Sequence, residues 1–189
     1  MSEDFHVHGP HDHEVEHQAH SGDSFAGRVA VMTAILATVG ALISYQGGAT
    51  QNAALLFKNE AAIKKTEASD QWNFYQAKSN KQNLAELGAT LTTGKLSDDY
   101  RAEADRYKKE KEKIMVDAKA LEQASHEADA RSEQSMHLHH RWAQSMALIQ
   151  IAIALAAITL LTRQKWLQWM AYGAGVGSLV VAALAFAHV

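Results

Sequence analysis

The sequence predicts an all-α protein: three transmembrane helices, with a long antiparallel helical hairpin of coiled-coil character inserted between the first and the second. Three observations predict it. The apolar residues fall into three blocks. The stretch between the first two, 49–141, carries 15 Lys+Arg against 15 Asp+Glu and has no Pro. Within that stretch, small and apolar residues recur every seventh position, the period at which two helices wind together.

The N-terminal region, 1–24, is acidic and His-rich, with too little apolar surface to drive folding, and is expected to be a disordered tail. The first apolar block, Val29–Ser44, reads VAVMTAILATVGALIS. It is short for a span, so its flanks are included and the first membrane helix is placed at 26–47, near the ~20 residues a bilayer requires. Arg28 stands at its start, where a long side chain snorkels to the interface. No Lys or Arg precedes Arg28, so an uncleaved anchor is expected rather than a cleavable signal.

The second membrane helix is placed at 142–162, with Gln150 as its one strongly polar interior residue, and the third at 166–187. Trp166, Trp169 and Tyr172 open the third, a clustering that suits the headgroup level. Only Arg163, Gln164 and Lys165 separate the two, which predicts a tight antiparallel pair. Neither block carries the polar stripe that a helix on a soluble core shows. Lipid is the expected surrounding.

The insert, 49–141, has only two glycines, Gly88 and Gly94, both near its midpoint. The segment LTTGKLSDD, Leu91–Asp99, is its turn signal: Gly94 stops one helix, Ser97 is the expected N-cap of the next, and Asp98 and Asp99 fall in the favoured first turn. A turn near 92–97 leaves two helices of roughly 42 residues, each about 60 Å long. In the second arm, Tyr107, Ile114, Leu121, Ala128, Ser135 and Trp142 alternate with Ala104, Lys111, Ala118, Ser125, Ser132 and His139 at spacings of three and four. In the first arm the expected seam is Leu56, Ile63, Asp70, Ala77, Leu84 and Leu91, joined by Phe74 and interrupted by Glu67, Asp70 and Lys81. A second face holds Ala61, Ala68, Trp72 and Tyr75. Trp72 and Phe74 lie about 200° apart around a helix, so they cannot meet one partner. Because the hairpin's own seam is thin, the Trp72 face is expected to meet another subunit.

The stretch ASDQWNFYQAKSNKQ, Ala68–Gln82, resembles the signature of a bacterial membrane family, domain of unknown function 4337. The likeness extends to the charged, His-bearing head, the helical insert and the closing pair of membrane helices joined by a short basic loop. The resemblance implies a multi-pass inner-membrane protein. Having no established activity, the family supplies no ligand or catalytic residue.

The strongest chemical signal is the tail itself, where His6, His8, His11, His13, His17 and His20 lie among Asp12, Glu14 and Glu16. Imidazoles gathered by a flexible chain suit zinc, nickel or copper; a merely solvated tail accounts for the same residues. In MHLHHRW, Met136–Trp142, His137 and His140 share a helix face, although an interfacial belt beside Arg141 and Trp142 is the simpler reading. Gly173 and Gly177 form a G-x-x-x-G pair that permits close helix contact. Gln150 is expected to hydrogen-bond a neighbouring helix or a second copy.

There is no Cys, which excludes thiol nucleophiles, disulfides and thiolate metal sites. No G-x-S-x-G, P-loop or H-E-x-x-H motif is present, and no catalytic residue is assigned. A net charge of −3 gives no reason to expect nucleic acid. Arg163 and Lys165 in the shortest loop favour a cytoplasmic loop and tail, with the hairpin periplasmic. The expected function is a non-enzymatic inner-membrane scaffold or accessory subunit, with partners limited to the lipid bilayer and to further copies or a larger membrane complex. Trp72, Phe74, Tyr75, Gly173 and Gly177 are its interaction residues. The alternative is a metal-handling accessory or sensor using the His-rich tail.

Overall fold

The structure, a computed structural model, describes residues 24–187. Among these the chain is all-α, with three helices and no strand: α1, Ser24–Leu91; α2, Lys95–Thr162; and α3, Lys165–Phe186. Each is long and apolar enough to cross a membrane. The six His of the tail assigned to metal fall outside the described residues. The described chain packs as two units, one comprising residues up to Gln51 together with those from His137 onward, the other Asn52–Met136.

In the first unit, side chains from all three helices interlock. Val29 and Met32 of α1 pack with Ala156 of α2 and Ala171 of α3. Nearer the other end, Ile43 meets Trp142, Ile149 and Ala185. Small residues allow the close approach: Ala152, Ala156 and Ala171 are fully buried, and a Cβ on Gly40 would already sit 3.4 Å from Ile149 Cγ2. The outside is apolar too, with Val31, Ile35, Leu42, Ile151, Ile158, Val180 and Leu184 exposed. So much exposed apolar surface is foreign to a protein solvated by water and natural to one solvated by lipid. The α2–α3 connection is the short Arg163–Gln164 step. Arg163 adopts the left-handed region, φ 55°, and its N–H donates to the Thr159 carbonyl at 2.8 Å, closing the last turn of α2.

In the second unit, contacts pair α1 with α2 in opposite sequence order. Ser132 Oγ donates to the Ala54 carbonyl, Ser125 Oγ to that of Ala61, Lys78 Nζ to Glu110, and Ser97 Oγ to the Ala89 carbonyl. The buried residues are almost all alanine: Ala54, Ala61, Ala68, Ala85 and Ala89 on α1, facing Ala104, Ala118 and Ala128 on α2. Alanine lets the two backbones approach until serine hydroxyls reach the opposite helix's carbonyls.

Two expectations are corrected here. The apolar series Leu56, Ile63, Phe74, Leu84 and Leu91 is exposed, Leu56 at 69% and Phe74 at 62%. The covered series is displaced by two residues to Ala54, Ala61, Ala68, Tyr75, Gln82 and Ala89. The reason is steric: the alanine face of α1 lets the backbones come close enough for Ser125 and Ser132 to bond the carbonyls of Ala61 and Ala54, a distance that leucines would hold apart. The face assigned to another subunit thus has a partner within the chain. Secondly, α2 begins at Lys95, so Ser97 lies inside the helix. Its hydroxyl caps the end of α1, where the final carbonyls lack helical N–H partners. Gly94, at φ 66°, makes the turn, and its carbonyl accepts from Asp98 N–H at 3.2 Å.

Candidate functional site

The two units each present surfaces with chemistry or unsatisfied contact. In Asn52–Met136, two ion pairs join α1 to α2 among the described residues. Lys58 Nζ donates to Asp129 Oδ1, and this hydrogen bond, together with the carboxylate's charge, raises the Lys58 pKa. Lys78 Nζ donates to Glu110, and that bond holds the Glu110 carboxyl below its usual range against the opposing effect of desolvation. Trp72 Nε1–H donates to Glu122 Oε1 at 2.8 Å, with Tyr75 edge-on to the Trp72 ring at 5.6 Å and Lys111 Nζ 5.4 Å from the Tyr75 ring centroid. A polar groove of about 640 Å³ runs past these residues, lined by Lys58, Lys65, Trp72, Glu122, His126 and Asp129. Its carboxylates are already held by Trp72 and Lys58.

Of the sequence-assigned aromatic residues, Trp72 and Tyr75 are half-buried between the helices, whereas Phe74 stands out from the opposite side with Leu56, Ile63, Leu84 and Leu91. That row is exposed along α1, with Asp70 and Ala77 between Ile63 and Leu84. Seven-residue spacing keeps most of it in line along α1.

In the other unit, a Cβ on Gly173 or Gly177 would meet nothing within 4 Å. Gly175 makes the close approach instead, since a Cβ there would lie 3.0 Å from Leu36 Cδ2. Gln150 is exposed and has no hydrogen-bond partner among the described residues. A polar pair that bonds between α2 and α3 in this unit is Ser145 with Ser178, both fully buried. Their signal was two small hydroxyl residues inside apolar blocks, which carries no pairing information in sequence. A groove of about 690 Å³ between α1 and α3, with Arg28 and Tyr172 in its lining, has no linear signature at all.

Among the described residues, no group of three or more His, Asp or Glu side chains is placed to hold a metal. His137 and His140 are exposed, while a ring nitrogen of His139, Nδ1, lies 2.9 Å from the Gly47 carbonyl oxygen.

The family model described as Domain of unknown function (DUF4337) matches residues 25–188, and the chain belongs to that family. No curated protein and no solved structure matches it.

Proposed function

We propose that this member of the family is a non-enzymatic scaffold or accessory subunit of the bacterial inner membrane. It spans the bilayer three times, and 49–141 forms an antiparallel, coiled-coil-like hairpin that presents a surface for self-association or for assembly with a larger membrane complex. Three long apolar helices support the membrane placement. Arg163 and Lys165 in the short α2–α3 connection favour a cytoplasmic position for that loop, and hence a periplasmic hairpin.

The observation that carries the reading is the exposed row Leu56, Ile63, Phe74, Leu84 and Leu91 on an otherwise charged stretch. A row of large apolar side chains facing water is costly, and each one covered contributes ~1.5–3 kcal/mol. Gly173, Gly177 and Gln150 supply a second contact within the membrane, where small residues and amides favour helix association.

The test is purification of the full chain in mild detergent, followed by mass measurement and identification of co-purifying proteins. The expected result is a complex larger than one chain that Ile63→Lys combined with Leu84→Lys disperses. A monomer that brings no partner, or a complex indifferent to both substitutions, would contradict the reading.

A further inference from the structure

We infer that the exposed row on α1 is covered by a second copy of this chain, bound head to tail: the α1 row of one copy lies against an exposed row on α2 of the next. The inference rests on the association surface proposed above and names its partner and its register.

The row on α2 is Ala102, Lys109, Val116, Gln123 and Ala130, seven apart and exposed throughout, a spacing that keeps them in line along the helix. Hydrogen bonds fix how this row stands against that of α1 within Asn52–Met136. Ser132 bonds the Ala54 carbonyl, Ser125 that of Ala61 and Ser97 that of Ala89. In this register Leu56 is level with Ala130, Asp70 with Val116, Ala77 with Lys109 and Leu84 with Ala102. Because α1 is one continuous helix from Ser24 to Leu91, copies inserted the same way into one membrane run parallel. Each level of one copy then meets the same level of the next.

So placed, the two rows complement each other in size. Leu56 and Leu84 meet alanines, the large-against-small fit that close packing rewards. Ala77 meets Lys109, whose aliphatic stem covers it. The rows complement each other in charge as well. Asp70 has no hydrogen bond or ion pair among the described residues, and neither have Lys109 and Lys113. Lys113 precedes Val116 by nearly one turn, which puts its ammonium within reach of Asp70 in the neighbouring copy. A symmetric pairing of two α1 rows loses this match. Running parallel, it sets Asp70 of one copy against Asp70 of the other, and like charges at a contact oppose association. The head-to-tail contact is heterologous, so every pair still offers one free α1 row and one free α2 row, and further copies add.

The chain has no Cys, so crosslinking of single introduced cysteines reads the contact directly. Two differently tagged full chains, one Leu84→Cys and the other Ala102→Cys, are co-expressed and treated in the membrane with a short bis-maleimide. The expected result is a covalent dimer carrying both tags, absent when either variant is expressed alone and absent when Ala130→Cys replaces Ala102→Cys. Mass measurement in mild detergent gives an independent reading. Lys113→Glu combined with Val116→Glu should disperse the complex, as Ile63→Lys combined with Leu84→Lys does. Co-expressed, these two dispersed variants should form pairs and nothing larger, because each keeps one intact row. Dimers of Leu84→Cys with itself, or a crosslink at Ala130, would overturn the pairing. A complex that the α1 substitutions disperse but that gives no crosslink would overturn it too: the row is then covered by another protein, and the association reading stands. A monomer that brings no partner overturns both.

Discussion

Ser145 of α2 and Ser178 of α3 bond reciprocally: each hydroxyl donates to the other residue's backbone carbonyl at 2.8 Å, with the two oxygens 3.0 Å apart. Both side chains are fully buried. Where no water competes, a hydroxyl must find an acceptor in protein, and here each helix supplies it to the other. Interhelical hydrogen bonds of this kind average ~0.6 kcal/mol and reach ~1.7 kcal/mol. Ser145→Ala and Ser178→Ala are each expected to destabilise the detergent-solubilised protein within that range. The two bonds use different donors and backbone acceptors that survive either substitution, so a double-mutant cycle by denaturant titration should show the two losses to be close to additive.

Gln82 is expected to be a site of easy stabilisation. Its Oε1 is buried without a hydrogen-bond partner, while its Nε2 donates to Glu86 at 2.7 Å. An unsatisfied buried acceptor costs ~1–3 kcal/mol. Gln82→Met, close in shape, should raise stability by about 1 kcal/mol, measured by thermal unfolding. A loss would show that the Glu86 bond outweighs the buried oxygen.

At Gly94, the positive φ of 66° is a conformation that a Cβ disfavours. Gly94→Ala should cost about 1 kcal/mol and Gly94→Asn less, because asparagine tolerates the left-handed region. Space is not the issue, since nothing lies within 4 Å of a Cβ built there. Equal losses for the two variants would contradict a backbone origin.

Two ion pairs give opposite pH signatures. Glu110 has a lowered pKa because Lys78 donates to it. Its contribution is therefore present above the ordinary carboxylate value and lost as pH falls through the lower folded value. Lys58 has a raised pKa through Asp129. Its contribution is complete below the ordinary lysine value and lost as pH rises through the higher folded one. Glu110→Gln should flatten the acid limb of a stability–pH profile, and Lys58→Gln the alkaline limb. Lys58–Asp129 is solvent-exposed and Lys78–Glu110 half-buried, so high salt should shrink both effects, the first more.

The apolar blocks were legible because a helix long and apolar enough to cross a membrane shows in composition alone, and no pairing has to be known to see it. On α2 the covered rows of Asn52–Met136 follow the three-and-four alternation of Ala104, Tyr107, Lys111, Ile114 and Ala118 read from the sequence. On α1 the same reading chose the wrong face, because Leu56, Ile63 and Leu84 outweigh alanines by hydrophobicity. Packing instead rewards the close approach that Ala54, Ala61 and Ala68 allow, near enough for serine hydroxyls to reach the carbonyls of Ala54 and Ala61, a property of two helices together. Ser97 misled for a related reason: a serine beside two aspartates reads as a cap for its own helix, whereas its acceptor, Ala89, lies eight residues earlier across the turn. The α1–α3 groove depends on Leu36 meeting Gly175, a contact between residues far apart in the chain.

The chain has no Cys, so single introduced cysteines report cleanly on their surroundings. Ile151 and Val180 are over half exposed in the folded protein, at 52% and 54%, and Lys109 is exposed on the charged stretch. The decisive measurement is labelling of Ile151→Cys, Val180→Cys and Lys109→Cys with a water-soluble maleimide, in membranes opened so that both faces are accessible. The central claim, that lipid surrounds the apolar helical segments, requires rapid labelling at 109 and none at 151 or 180 until detergent denaturation. Comparable labelling of all three in native membranes would contradict it.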